Sequence, residues 1–583
     1  MNDIQLFLQN KFQKAFNSLG FKNNIEIKKS NKEELSDFQC NDALSLAKQY
    51  SKNPKEIATN VVNLINETKL FTLTVDGPGF INIKLSNKFL EQYVNKFVKD
   101  PLIGFKKIKK PLKVIVDYAG MNVAKTMHIG HLRASIIGEA ICRIGRFVGN
   151  KIIGDAHLGD WGTPMGVVIA EIQDRMPKLP YFDSKFKGKY PTKCPVTSEQ
   201  LIEIYPVGAN KNKENPEFAK RVQEFTSQLQ NKQKGIYDLW KSFQKLSIED
   251  FKKIESQLKV YIDLWYGESD ADDAVKFLVK DLDKKGFLEN SDGCKIVRIN
   301  KKYENGDTPP FIMVKSNGTV KYETTDLGTI YNRAKTFKPD KILYVVDKRQ
   351  SLHFFLVFNA AAQTAICSLD KLEHLGFGTI NGPDNKPFKT RSGGVATLQS
   401  IIDLVNEEAL GVISKSEKAN EFSQKQKLEL SKKVALASLK FADLINYRVE
   451  DYIFTPEKFT SFEGKTGPYI LYTAVRIKSI FSKYKSSKDN NICVTNEYEK
   501  RLALKINSFG DIINQTWDQR SPNILCAYIY DLAVTYNAFY HNCHILNETN
   551  SNVKKSRISL SSLVLKIFNH FAELIGIDIP DKM

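Results

Sequence analysis

The pattern of apolar and polar positions is sharpest over 114–131, VIVDYAGMNVAKTMHIGH. Val114, Ile115 and Val116 form a short β-branched run, which predicts a buried parallel strand. Asp117 to Met127 breaks that run with small and polar residues. From Gly130 onward Leu132, Ile136, Ala140 and Ile144 recur every four positions, with Ile137, Ile141 and Phe147 beside them, which predicts an amphipathic helix. The stretch therefore reads strand, loop, helix.

Other periodicities place this unit within a longer chain. Ile4, Phe7, Leu8 and Phe12, then Val61, Leu64 and Ile65, have helical spacing. Phe71, Leu73 and Val75, then Phe80, Ile81 and Ile83, alternate on either side of Gly77-Pro78-Gly79. They predict a small α+β unit over 1–105. A lysine-rich joint (Lys106, Lys107, Lys109, Lys110) leads to an α/β domain over 111–400, with further strands expected at Lys151–Gly154 and Lys341–Val346. An insertion of about 167–310 interrupts it; the Phe225, Leu229, Tyr237, Leu239 and Trp240 stretch reads as a helical surface arm. Beyond 400 the pattern is helical. Val434, Leu436, Leu439 and Leu444 come first, then Tyr469, Tyr472, Val475, Tyr528, Leu532, Tyr536 and Phe539, so 401–583 reads as an all-α domain with a core bundle over about 460–583.

Composition narrows the classes. At 583 residues the chain is too long for one core. No apolar run approaches the length of a membrane span, and MNDIQLFLQNKF lacks the layout of a signal peptide, so a cytoplasmic protein is expected. The eight cysteines are scattered without a CxxC, and His541, Cys543 and His544 fit neither structural zinc spacing, so no structural metal is expected. The net charge of +19 favours a polyanionic partner. Residues 1–113 hold 19 lysines against 11 acids, 114–400 hold 42 basic residues against 34 acidic, and 401–583 hold 24 against 21. The C-terminal third therefore cannot hold a polyanion by bulk charge alone.

The chemistry concentrates where the helix begins. A helix N-terminus after a parallel strand offers free N–H groups and a positive dipole end, which suits phosphate. His128 and His131 stand there on one side of a turn, with Gly130 letting a planar base approach the backbone. Asp347, Arg349 and Gln350 follow another strand, where ligands of open α/β sheets bind. Tyr322 and Asp326, four apart, share a face if their segment is helical.

HIGH is the nucleotide-binding signature of class I aminoacyl-tRNA synthetases, and DYAGMNVAKTMHIGHLRASIIG resembles the arginyl-tRNA synthetases. The resemblance runs on through DGPGFINIKL, GDAHLGDWGTPMG, KYETTDLGTIYNRA, YVVDKRQSLHF, PFKTRSGG and EGKTGPYILYTAVRI. It implies a multidomain α/β protein. A Rossmann-type catalytic core with a helical insertion would lie between an N-terminal domain that contacts the tRNA elbow and a C-terminal helical bundle that reads the anticodon. It further implies ATP-dependent ligation of L-arginine to tRNA(Arg) through an arginyl-adenylate, with ATP used as its Mg2+ complex, by a monomer.

The resemblance also distributes roles. His128, Gly130 and His131 would bind ATP, with both histidines catalytic. The second family signature, KMSKS, is represented by Pro387-Phe388-Lys389-Thr390-Arg391-Ser392-Gly393-Gly394, where Thr390 stands in place of the second lysine. Arginyl enzymes without that lysine carry one three residues before the first histidine. Here it is Lys125, the expected phosphate cation, with Lys389 and Arg391 as helpers. Tyr322, Asp326 and Glu268 would take the guanidinium; Asp117, Asn122 and Gln350 would take the amine and carboxylate region of arginine. Gly120-Met121 stands where the family often has serine and proline, so no side-chain contact is expected from position 120.

Overall fold

The computed structural model describes residues 3–583 apart from 33, 66–68, 305, 387, 389–395 and 485. The expected strand is Lys113–Asp117 and the expected helix Ile129–Val148. The strand lies inside a parallel sheet, between Lys151–Asp155 on one side and Lys341–Tyr344 on the other, with Leu372–His374 outside the latter. Asp117 pairs with both Asp155 and Tyr344, so the carboxyl ends of three strands are level. The chain leaves the central strand towards one neighbour and returns later beside the other. A crevice opens at such a reversal, and the Ile129–Val148 helix starts in it.

That helix is buried almost all round, more than its apolar stripe predicts. Its second face is covered by the C-terminal domain. Buried Arg133 donates to Asp443 at 2.8 Å and to the Glu450 carbonyl at 2.8 Å, and Arg143 donates to the Glu573 carbonyl at 2.9 Å. The helices Leu398–Ser414 and Gln424–Leu444 lead into a bundle of Gly467–Lys483, Glu497–Asn507, Phe509–Asp518, Pro522–Asn542 and Ser551–Ile575. Ser551–Ile575 has the length and hydropathy of a bilayer span, but 72% of its most apolar window is buried inside the protein. It serves as a core helix here.

Residues 1–105 form a four-stranded antiparallel sheet, ordered Ile27–Lys29, Phe38–Cys40, Phe80–Leu85, Phe71–Asp76, with helices packed against it. This unit docks on the bundle: Lys500 reaches Asp37 at 3.0 Å and the Leu85 carbonyl at 3.0 Å. The stretch expected to be a surface arm is instead a packed helical unit. Ser198–Glu214, Pro216–Gln230 and Lys234–Gln257 gather on Thr163–Arg175, and Phe218, Phe225, Leu229 and Trp240 form a core of their own. Each helix alone reads as polar with a narrow stripe; three stripes facing one another make the core. A small antiparallel sheet, Glu289–Ser291, Cys294–Val297 and Phe311–Val314, precedes the helix Tyr322–Phe337.

Candidate active site

The two histidines of HIGH hold each other's backbone. His128 caps the helix from extended geometry, and its Nδ1 accepts from Gly130 N–H at 3.1 Å. His131 Nδ1 accepts from His128 N–H at 3.0 Å, and the ring centroids lie 4.0 Å apart. A nitrogen that accepts a backbone N–H carries no proton, so in each neutral ring the proton sits on Nε2. Burial, helped by the neighbouring His128, holds His131 down to about 3, and burial with the Lys125 charge lowers His128. The pair is thus a double Nε2–H donor with no charge of its own. Gly130 is required within the motif, because a Cβ there would lie 2.8 Å from His128 Cε1 and 3.0 Å from Nδ1.

The loop before the helix is bent at Ala124, whose φ of 62° is left-handed. That conformation costs about 1–2 kcal/mol in an L-residue. Its N–H is anchored on Ser247 Oγ of the inserted helices at 3.2 Å. Lys125 follows, and its ammonium lies 4.4 Å from the centroid of Tyr205, also in the inserted helices. Lys389 and Arg391 lie outside the described residues, but the chain after them returns to this edge. Ile129 N–H donates to the Ala396 carbonyl at 3.2 Å and Leu398 N–H to the Met127 carbonyl at 2.8 Å, which sets Thr397 opposite His128.

A second cluster lies deeper at the same carboxyl ends. Asp326, on the first turns of Tyr322–Phe337, is held by two histidines: His353 Nε2 is 2.6 Å from Oδ2 and His157 Nε2 is 3.3 Å from Oδ1. Burial would raise this carboxylate, but the His353 hydrogen bond and the nearby His157 ring bring it down to about 2. Tyr322 is exposed at the mouth, its ring stacked on His353 at 5.0 Å. Glu268 arrives because 264–268 runs parallel to 155–158, Leu158 N–H donating to the Tyr266 carbonyl at 2.9 Å and Glu268 N–H to the Leu158 carbonyl at 3.0 Å. Gly267 permits this approach, since a Cβ would stand 2.5 Å from an oxygen of buried Asp160. Burial lifts Glu268 to about 7.

The remaining candidates surround the cluster. Asp117 is buried, with its carboxylate 2.7 Å from Arg333 Nη2, which also holds Asp155 at 2.6 Å. It forms the floor, facing a fixed cation. Asn122 is exposed and packs over Gly159, and Gln350 is exposed at the end of the short helix Lys348–Gln350. Asp347 is occupied by Arg349 at 2.6 Å. Among the described residues no group of His, Cys, Asp and Glu has the arrangement of a metal site.

A family model for tRNA synthetases class I (R), catalytic domain, matches residues 94–455. Models for an arginyl tRNA synthetase N terminal domain and a DALR anticodon binding domain match 4–85 and 470–583. The chain belongs to the arginyl-tRNA synthetases of class I. It is 43% identical to an arginine–tRNA ligase of Alkaliphilus oremlandii over 95% of each chain, and 40% identical to one of Francisella tularensis subsp. novicida over the whole of both. The solved arginyl-tRNA synthetase of Plasmodium falciparum superposes with a TM-score of 0.85 at 26% identity, covering all of both chains.

Four residues around the site were not foreseen from the sequence. His157 and His353 lie inside motifs that carried the family resemblance, GDAHLGDWG and YVVDKRQSLHF, and the signal was a histidine just past a strand's carboxyl end. Arg333 signals itself only as a charge in the buried stripe of its helix. Tyr205, in an amphipathic helix of the insertion, carries no local signal.

Proposed function

We propose that this protein ligates L-arginine to tRNA(Arg) in two steps, forming arginyl-adenylate from arginine and the Mg2+ complex of ATP and then passing the arginyl group to the tRNA terminus. In the first step the arginine carboxylate attacks the α-phosphorus and pyrophosphate leaves. Negative charge gathers on phosphate oxygens, so preorganised donors carry the catalysis. His128 and His131 offer their Nε2–H groups to those oxygens at the helix N-terminus. Lys125 supplies the cation that the loop lacks at Thr390, with Lys389 and Arg391 beside it.

Recognition of arginine rests on Asp326. A guanidinium presents parallel donors that match a carboxylate fork, and Tyr322 and Glu268 complete the pocket. Asn122, Gln350 and the Arg333-bound carboxylate of Asp117 take the amine and carboxylate end. The observation that carries the reading is an ionised, half-buried Asp326 at the same strand ends as the neutral His128–His131 pair.

The test is charging of total tRNA with each of the standard amino acids, repeated for Asp326→Asn. Arginine alone should be accepted, with canavanine competing and citrulline and lysine failing. Loss of this carboxylate, enclosed once the guanidinium is bound, should cost roughly 3–5 kcal/mol in arginine use. Unchanged arginine KM and kcat in Asp326→Asn would mean that the guanidinium is bound elsewhere.

A further inference from the structure

Among the described residues Asp326 has no arginine or lysine against it; its partners are two imidazoles. The neighbouring charges show what is missing. Arg333 serves two carboxylates, Asp117 and Asp155, and Glu268 and Asp270 of the short helix Glu268–Ala271 add further acids next to His157. With both imidazoles neutral, Arg333 would be the one cation among the described residues paired with Asp117, Asp155 or Asp326. His157 is the ring so placed as to supply the second. It is largely enclosed, it lies within reach of the charges of Asp117 and Asp326, and its Nε2 stands 3.3 Å from Asp326. Its contact with Asp326 is long, at 3.3 Å, so the ring neutralises the carboxylate without closing the fork. His353, at 2.6 Å and stacked on Tyr322, is the tighter of the two.

We propose that protonated His157 is the resident counter-ion of Asp326 in the arginine-free enzyme, and that the arriving guanidinium replaces it, so that arginine binding expels one proton to solvent. The proposal rests on the reading of Asp326 as the guanidinium ligand. Charge balances: an imidazolium and a free argininium become a neutral imidazole, a bound argininium and a released proton. The charge state agrees with the surroundings. Burial opposes the imidazolium, but its contact to the accepting Asp326 carboxylate and the charges of Asp117 and Asp326 outweigh it and raise His157 to about 9, against the opposing charge of Arg333. A second cation entering the fork reverses that balance, because His157 then has burial and two guanidinium groups against it. Arginine affinity should accordingly rise about tenfold per pH unit below about 9 where only this group exchanges.

Glu268 is the other group that titrates in range, since it would lose its proton when a guanidinium arrives at lower pH. At about pH 8 it is already mostly ionised, whereas His157 is still mostly protonated. Calorimetric titration of arginine into the full chain at about pH 8, in buffers of differing ionisation enthalpy, reads the proton count directly. Release close to one proton is expected, persisting in Glu268→Gln and disappearing in His157→Gln, which still binds arginine. A slope of zero in the unmodified protein overturns the proposal, as does loss of the slope in Glu268→Gln or its persistence in His157→Gln. The pocket reading is judged separately: arginine binding as tight in Asp326→Asn as in the unmodified protein would sink that reading. A weakened Asp326→Asn together with zero slope would sink only the exchange.

Discussion

Gly130→Ala separates the geometry of HIGH from its stability. The added Cβ would stand 2.8 Å from His128 Cε1 and 3.0 Å from Nδ1, well inside ordinary contact. The His128 ring is exposed on its outer side and can turn away, but turning breaks its 3.1 Å bond from Gly130 N–H. Losing a cap of this kind costs about 1 kcal/mol. Replacing glycine by alanine inside a helix returns about 1 kcal/mol. The two offset each other, and in a chain of this size a residual of about 1 kcal/mol moves Tm by only about 2–4 °C or less. Activity has no such compensation. His128 Nε2–H would no longer point where the phosphate oxygens develop charge, and losing one such donor typically costs about 10²–10³ in rate. The assay is ATP–pyrophosphate exchange at saturating arginine, beside a thermal melt. Exchange within about twofold of the unmodified protein, with an unchanged melt, would show that the capped ring position does not matter to the reaction.

His131→Ala should lower the rate of adenylate formation by a similar factor of about 10²–10³ while ATP affinity changes little; weakened ATP binding with a normal chemical step would refute its role. Lys125→Ala should slow activation strongly, and adding Thr390→Lys should recover part of the rate. Unimpaired pyrophosphate exchange in Lys125→Ala, measured with tRNA present, would remove this lysine from the mechanism.

What was legible in the sequence is what is written locally. The strand Lys113–Asp117 and the helix Ile129–Val148 follow from a β-branched run giving way to a four-residue repeat, and the i,i+3 spacing of His128 and His131 already puts both rings at one helix end. The α+β unit and the C-terminal bundle are legible for the same reason. The inserted stretch was legible as helical, but its packing was not, because a narrow apolar stripe does not say what faces it; here the answer is two further stripes around Trp240 and Phe225. The placement of Glu268 was open in the same way. The motif around it is visible, but its arrival beside His157 depends on Leu158 pairing with Tyr266, more than a hundred residues away.

Charge is the least local property of the site. The site holds four histidines, and side-chain type alone assigns two of them, His131 and His157, the same midpoint near 6.5. In the fold, burial and a second imidazole take His131 down to about 3, while two carboxylates from different elements take His157 up to about 9. On the proposed reading the same residue type serves as a neutral donor for phosphate in one place and as a cation for a carboxylate in the other. The difference comes from the sheet order, which sets Asp117, Asp155 and Tyr344 level at three strand ends. The helix Tyr322–Phe337 runs beside those ends, bringing Asp326 to His157 and Arg333 to Asp117 and Asp155. Among the described residues the carboxylates around Asp326 outnumber the arginines paired with them, which attracts a cation before any side chain forms its final contacts, and on this reading the carboxylate fork of Asp326 then favours a guanidinium over an ammonium.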